Sequence, residues 1–499
     1  MLWRLLQANA DSEFGRRYGF STVRSVTDYQ QRVPLLTYED YRPAIDRVAA
    51  GSPGVLTRES VRLLEPTSGS AGATKLVPYT ASLQREFQRG IRPWIADLFV
   101  HRPELTRGQA YWSVSPVAAS PARTCGGIPI GFEDDSCYVG GWQQRLLRII
   151  MAAPAALGHV SDLEAFRYLT LLALIRSANL RLISVWHPTF LAWLLDPLPE
   201  WGDALLREPV LATRRADVLR AALRSRTPAE CHAALWPHLA LISCWTDANA
   251  AAPAARVARL FPHARIQGKG LIATEGLVSF PLMGHEGAAL ALRSHFLEFV
   301  AQTGSDGLPH LAHELDRGQR YAVVVSTGGG LYRYQLQDIV EVVGHIRQCP
   351  LIRFVGRQGH VSDWFGEKLN EAYVANVLRD ALARAGVCPA FAMLACDDTL
   401  PRPAYVLYIE TQEPDDSLAT LAGAIESALR RTFHYDYARR LGQLAPLQVF
   451  RSEGAGDAYL NAAVRAGQRP GDVKPLALDR RTGWSQILRG HFIAAGGAG

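Results

Sequence analysis

The apolar positions fall into two rhythms along the chain. Ser161 to Ala178 reads as a helix: Ser161 and Glu164 stand at capping-box spacing ahead of an apolar-rich run. Leu180–Trp186 then reads as a short strand, and Pro188 opens a second apolar helical stretch reaching Leu195. The alternation returns with Leu239–Trp245 as strand, Pro253–Phe261 as helix and Ala264–Gln267 as strand. Strand–helix–strand units of this kind predict a parallel sheet buried between helices, and so an α/β fold class.

After about Phe354 the rhythm changes. Helices are predicted over Asn370–Ala385, ended by Gly386, and over Ser417–Phe433, with strands at Phe391–Ala395, Tyr405–Glu410 and Leu447–Phe450. This describes a helix-crossed α+β unit, poor in strand. The break falls in the polar, glycine-containing stretch Gly356–Gly366, which predicts a large domain over 1–356 and a smaller one over 357–499. No internal repeat or low-complexity linker interrupts either part.

Composition narrows the class. With 499 residues, 48% of them hydrophobic and 20% charged, the chain suits a multidomain globular enzyme and not a disordered or fibrous protein. The net charge of +6 is too small for this length to indicate nucleic acid. The N-terminus, MLWRLLQANADSEF, lacks the apolar length and cleavage site of a signal peptide. The most apolar region, Phe166–Leu195, is interrupted by Arg167, Arg176, Arg181, His187 and Pro188, so no membrane span is expected. Seven cysteines without a C-x-x-C pair read as reduced, mostly buried thiols, which predicts a cytoplasmic location. Of 53 basic residues only four are lysine: Lys75, Lys269, Lys368 and Lys474. Where arginine is the ordinary cation, a lysine can mark a need for a compact ammonium.

Several segments carry candidate chemistry. Thr67-Ser68-Gly69-Ser70-Ala71-Gly72-Ala73-Thr74-Lys75 gathers hydroxyls, glycines and a lysine in a loop suited to phosphate oxygens, or to a plain flexible surface loop. It is not a Walker A sequence. Thr274-Glu275-Gly276 follows an apolar strand and puts a hydroxyl and a carboxylate at a sheet edge, where ligands of open α/β sheets sit. The hydroxyl suits a phosphate, and the carboxylate suits Mg²⁺, a hard cation. Thr327-Gly328-Gly329-Gly330 makes a tight turn after the strand Tyr321–Ser326. Beyond it, Asp338 enters the apolar run Ile339–Val343, able to bind both hydroxyls of a ribose or to pair with Arg333 or Arg357. Phe354-Val355-Gly356-Arg357 precedes the expected hinge, Glu367-Lys368-Leu369 follows it, and Gln468–Pro475, with Lys474, lies far downstream in the smaller domain. The order of His310, His313 and Glu314 does not make a zinc motif, and neither G-x-S-x-G nor a strand-borne G-x-G-x-x-G occurs.

Taken in order, Asn9–Phe20, Val33–Tyr38, Thr67–Pro78, Gly268–Pro281, Leu331–Val342, Phe354–Arg357 and Tyr435–Leu444 resemble the GH3 family of acyl-acid amido synthetases, nearly end to end. That family lies within the adenylate-forming superfamily. The resemblance implies a large adenylate-forming domain with parallel-rich sheets flanked by helices, and a smaller, mobile C-terminal domain. It implies a phosphate-binding role for Thr67, Ser68, Gly69, Ser70 and Lys75, and contact of Thr274 and Glu275 with the α-phosphate, Glu275 also holding Mg²⁺. Asp338 matches the ribose-binding aspartate, Arg357 the arginine after the hinge, and Lys474 the C-terminal lysine of the adenylation step. Two departures stand out: the loop has Ser70 where the family more often has threonine, and Gln337 stands where many members place glycine.

The activity so implied uses ATP and Mg²⁺. A carboxylic acid is converted to an acyl-adenylate with loss of pyrophosphate, and an amine, such as an amino acid, then displaces AMP to give an amide. The segment Ser113–Tyr138, with Trp112 and Gly126-Gly127, would line the acyl pocket. Arg123 has two readings, a partner for the substrate carboxylate or a surface residue, and the surface is favoured. The alternatives are an acyl-CoA ligase sharing the first step, a phosphoryl-transfer enzyme releasing ADP, and a non-catalytic binding protein on the same fold. The sequence names neither the acid, the acceptor nor the oligomeric state.

Overall fold

The computed structural model describes residues 1–66, 75–113, 122–131, 150–160, 162–302, 307–358, 361–362, 364, 367, 369–440, 442–466, 468, 470 and 473–493. Two compact units emerge. The first comprises residues 1–186, 194–245 and 260–354, the second residues 187–193, 246–259 and 355–499.

The first unit holds the predicted parallel sheet. Its four strands run in the order Gln109–Trp112, Leu180–Ser184, Leu241–Ser243 and Arg265–Gln267, every pair parallel. The strands are short, and their register aligns Trp112, Ser184, Ser243 and Gln267 at the carboxyl edge. Helix Leu163–Arg176 is capped by Asp162, which accepts from Ala165 N; the Ser161 of the expected capping box lies outside the described residues. Buried Arg215 ties neighbouring helices together by donating to the carbonyls of Ile175 and Leu235.

Antiparallel pairing builds much of the rest, which the strand–helix pattern did not anticipate. A six-stranded sheet runs Ser279–Pro281, Ala288–Leu290, Cys349–Arg357, Tyr334–Ile346, Arg320–Ser326 and Phe296–Ala301. Its long strand Tyr334–Ile346 alternates buried with part-buried positions, so Gln335, Gln337 and Glu341 dilute the apolar signal. A four-stranded sheet includes the pair Leu63–Pro66 and Leu76–Tyr79, whose register closes at Pro66 opposite Leu76. The Thr67–Lys75 segment is thus the connection of an antiparallel pair.

The second unit contains a five-stranded sheet ordered Leu478–Asp479, Phe391–Asp397, Ala404–Glu410, Gln448–Glu453 and Arg489–Phe492. It is richer in strand than the sequence pattern predicts. Helices Glu371–Ala385 and Asp415–Leu429 bury Val374, Leu378, Leu418, Leu421 and Ile425 in a core with Leu394, Leu407 and Ile409.

The six described cysteines are free, but only Cys244 and Cys396 are fully buried, fewer than expected. No helix among the described residues is long and apolar enough to cross a membrane.

Candidate functional site

Four of the sequence-predicted residues lie in the first unit, on segments held together by tyrosines. Thr274 and Glu275 are the two-residue link of a small hairpin, with Gly276 opposite Ala273 and Leu277 opposite Ile272. They follow the short strand Ile272–Ala273, as expected, and form the tip of an antiparallel hairpin. Glu275 is buried and accepts a hydrogen bond from the Tyr334 hydroxyl at 3.1 Å. Tyr334 opens the long strand that also carries Asp338, which is buried as well.

The same tyrosine reaches the phosphate-type loop through a helix. Tyr334 packs on Tyr41, ring centres 6.0 Å apart, and Tyr41 belongs to helix Tyr38–Ala49. At the start of that helix, the Tyr38 hydroxyl accepts from Leu76 N at 2.8 Å, and Lys75 Nζ stands 5.4 Å from the Tyr38 ring centre. Helix Tyr38–Ala49 thus touches the base of the loop through Tyr38 and the partner of Glu275 through Tyr41. Thr67, Ser68, Gly69 and Ser70 lie outside the described residues, as does Lys368.

The backbone before Asp338 bends at a bulge. Ala322 pairs with Ile339 and Val324 with Gln335, so residues 336–338 lie opposite Val323 alone. Gln337 takes φ 63°, the left-handed conformation that glycine adopts without steric cost. The departure from the family's glycine therefore changes the side chain but keeps a glycine-like backbone.

Arg333 does not pair with Asp338. It is buried, its Nε lies 3.1 and 3.2 Å from the two carboxylate oxygens of Glu298, and its Nη1 donates to the carbonyls of Gln30 and Val33. Burial raises the Glu298 carboxyl above its ordinary range, while the Arg333 charge and its hydrogen bonds pull the other way.

Lys269 occupies a place that its local sequence does not disclose. It is buried at the carboxyl edge of the parallel sheet, donates to Ser184 Oγ at 2.7 Å, and its ammonium lies 5.1–5.3 Å from the ring centres of Trp94, Trp112 and Trp186. Nearby Cys244 is an inert thiol, pushed up to about 12 by burial despite the lysine charge. Trp112 thus helps to enclose a cation. Gly126 belongs to a turn against the end of helix Tyr38–Ala49, where an added Cβ would come within 2.4 Å of Gly51 N. Arg123 is exposed and donates to Gly127 O, as favoured. Of the expected acyl-pocket segment, residues 114–121 and 132–138 lie outside the described residues.

Arg357 and Lys474 belong to the second unit. Arg357 ends the strand Cys349–Arg357. Lys474 follows buried Val473, has an exposed side chain, and its carbonyl lies 3.5 Å from the Tyr459 hydroxyl. Within that unit, buried His187 is held down to about 3, first by burial and then by the positive charge of Lys474. Glu367, from the motif before helix Glu371–Ala385, is buried and accepts from Tyr405 and from Trp364 N.

Sequence reasoning missed Tyr334 as a partner of Glu275, the tryptophan cage, and the buried pair Glu86–His295. Tyr334 was within a quoted motif; the others join residues too distant in sequence for any local signal. As for a metal, no group of three or more His, Cys, Asp or Glu occurs among the described residues. One buried carboxylate at a hairpin tip fits Mg²⁺, which binds through one or two carboxylates and substrate phosphates and keeps its waters.

Residues 1–266 match the GH3 family N-terminal domain, and residues 288–357 match the GH3 family central domain. A probable indole-3-acetic acid-amido synthetase GH3.1 of Oryza sativa subsp. japonica is 25% identical, over 96% of this chain and 88% of the relative. The indole-3-acetic acid-amido synthetase GH3.2 of Arabidopsis thaliana is 23% identical, over 85% of each. Among solved structures, a GH3.15 acyl acid amido synthetase aligns with TM-score 0.81 and 19% identity, over 98% of this chain and 91% of that one. A complex of the same enzyme with 2,4-DB gives 0.83 and 18%, over 97% and 91%. The domain matches, over residues 1–266 and 288–357, establish that this chain belongs to the GH3 family.

Proposed function

We propose that this protein is an ATP-dependent, AMP-forming acyl-acid amido synthetase. The observation that carries the reading is that Tyr38 and Tyr41 of one helix meet Lys75 and Tyr334, while Tyr334 donates to Glu275 and opens the strand that carries Asp338. The named relatives, acid-amido synthetases, support the same reading.

A carboxylate resists attack by an amine because oxide is a poor leaving group. Its oxygen instead attacks the α-phosphorus of ATP, forming a C–O–P anhydride and releasing pyrophosphate. The amine nitrogen then attacks the acyl carbon, AMP leaves, and the nitrogen loses its proton. The protein's work in the first step is to align two anions that repel and to spread charge over phosphate oxygens.

In this assignment Thr67, Ser68, Gly69, Ser70 and Lys75 hold phosphate oxygens, and Thr274 donates to the α-phosphate. Glu275 would hold Mg²⁺, which would supply positive charge to offset that of the phosphates. Asp338 accepts the ribose hydroxyls, its position set by the bulge at Gln337. Arg357 lies just past the proposed domain boundary, 356/357, and serves the nucleotide from the second domain. Lys474 supplies an ammonium to the adenylation step. The acid is a small carboxylic acid and the acceptor an amino acid.

The test is acid-dependent exchange of labelled pyrophosphate into ATP over aryl, indolyl and fatty acids, followed by product analysis with pooled amino acids. Exchange with at least one acid, AMP as product and an amide by mass spectrometry are expected. Glu275→Gln should lower the exchange rate by about a hundredfold or more, the scale of one lost charge-stabilising group. Release of ADP, or a thioester formed with CoA in place of an amide, would overturn the proposal.

A further inference from the structure

Outside the residues so far assigned, one buried pair touches two segments of the site at the level of their backbones. Glu86 lies on the long helix Ala81–His101, which begins immediately after the strand Leu76–Tyr79. Its carboxylate oxygen Oε2 accepts from Gly328 N at 2.8 Å and faces His295 Nδ1 at 2.9 Å. On the other side of the ring, His295 Nε2 accepts from Leu277 N at 2.9 Å. Both side chains are buried, at 6% and 2% exposure.

These contacts fix the tautomer. A ring nitrogen that receives a backbone N–H must offer its lone pair, so the proton of this imidazole sits on Nδ1 and is donated to Glu86. The carboxylate therefore holds two segments at once. One is the glycine turn that leads into the Asp338 strand. The other, through the imidazole, is the hairpin whose tip is Thr274-Glu275.

The surroundings are shaped for that closeness. A Cβ on Gly276 would stand 3.0 Å from His295 Nε2, and one on Gly328 would stand 2.7 Å from Ser82 Cβ and 2.9 Å from Glu86 Oε1. Thr80, the cap of the same helix, donates to Gly328 O at 2.8 Å and accepts from Leu83 N. Ser294 donates to the Glu86 carbonyl at 2.7 Å. A buried carboxylate is costly unless its hydrogen bonds are made, and here they are made with the two segments that carry the site.

We infer that Glu86 and His295 form a positioning pair that sets the Thr274–Glu275 hairpin against the turn leading to Asp338, and so aligns the α-phosphate and ribose contacts. The inference rests on the adenylation reading for its kinetic consequence and on geometry alone for its structural one. Neither residue touches substrate, and both act through the backbone they hold.

The experiment compares wild type, His295→Phe and His295→Gln, the last keeping an acceptor for Leu277 N and a donor for Glu86. Amide hydrogen exchange is followed in peptides covering residues 271–278 and 326–331, beside pyrophosphate exchange at varied acid and Mg²⁺ concentrations. His295→Phe should speed hairpin exchange about tenfold, the scale of a lost buried hydrogen bond. It should also lower kcat by about 10–100-fold, as for groups that orient a ligand-bearing residue, with the acid KM within about twofold. The Mg²⁺ concentration for half-maximal activity should rise in parallel. His295→Gln should recover most of both losses. Equal damage in the two variants, or hairpin exchange unchanged in His295→Phe, would overturn the proposal. Should the phenylalanine variant not fold, Glu86→Gln takes its place, with hairpin exchange equal to wild type as the overturning result. If wild type itself shows no pyrophosphate exchange, the adenylation reading fails, while the hydrogen-exchange comparison still decides the pair.

Discussion

Arg333 and Lys269 are both buried cations of the first unit, at 3% and 2% exposure, and they are accommodated in opposite ways. Arg333 spreads a planar fork over four oxygens: two of the Glu298 carboxylate and the carbonyls of Gln30 and Val33. Lys269 places a compact charge against surroundings that include the Ser184 hydroxyl and the indole rings of Trp94, Trp112 and Trp186. The first arrangement needs several donors in fixed directions, which a guanidinium offers. The second needs a small group attracted equally to several ring faces, which suits an ammonium. In a sequence where arginine is the ordinary cation, the rare lysine at 269 stands in surroundings that suit its compact shape. Arg333, by contrast, uses the common cation to fasten the N-terminal segment to the antiparallel sheet.

Exchanging each cation for the other is the most direct way to break this contrast. Arg333→Lys keeps the charge beside Glu298 but forfeits the fork, leaving carbonyls of Gln30 and Val33 without their donor. The expected cost is about 2–4 kcal/mol of unfolding free energy, from two or more lost buried hydrogen bonds to a charged group. Denaturant titration at pH 7 measures it. A loss below about 1 kcal/mol would mean that charge alone matters there, and the contrast with Lys269 would lose its basis.

The reciprocal swap should cost less. Lys269→Arg adds volume and a planar shape to a space closed by Trp94, Trp112 and Trp186. Overpacking of this kind costs about 1–3 kcal/mol, because the rings must shift from their present contacts. The tryptophans report the change themselves, so a shift in intrinsic fluorescence should accompany the fall in denaturation midpoint. Stability unchanged, with unchanged fluorescence, would show a cage wide enough for either cation.

How far the two sites could be read from sequence differs for a physical reason. The hydroxyl–glycine loop, Thr274-Glu275 and Asp338 lie in motifs whose residue types state their chemistry locally. The parallel sheet likewise declares itself, since Leu180–Ser184 and Leu241–Ser243 are short apolar runs between helices. Arg333 sits inside a quoted motif, yet its partner Glu298 comes from a different strand, so pairing with Asp338 remained open until the fold was known. The cage of Lys269 draws on residues 94, 112, 184 and 186, and no local pattern joins them. The long strand Tyr334–Ile346 was obscured in another way: its part-buried face carries Gln335, Gln337 and Glu341, which break up the apolar run.

The smallest effect concerns backbone, and it separates Arg333 from another residue of its own strand region. Arg333 and Gln337 both take positive φ, 49° and 63°. At Arg333 the side chain repays that conformation with four buried contacts, so no replacement by glycine could gain. At Gln337 the side chain is part-buried, and the left-handed turn serves the bulge that sets Asp338. A non-glycine residue in that region is strained by roughly 1–2 kcal/mol. Glycine removes the strain but adds about 0.5–1 kcal/mol of chain entropy to the unfolded state. Gln337→Gly should therefore stabilise the protein by about 0.5 kcal/mol, with the ATP KM within about twofold of wild type. Gln337→Ala keeps the strain without the glycine entropy cost, so glycine should exceed alanine by about 0.5 kcal/mol in denaturant titration. Alanine as stable as glycine, with both less stable than wild type, would mean that the side chain, and not the backbone angle, governs this position. In that case Gln337 would belong with Arg333, a residue whose contacts justify its conformation.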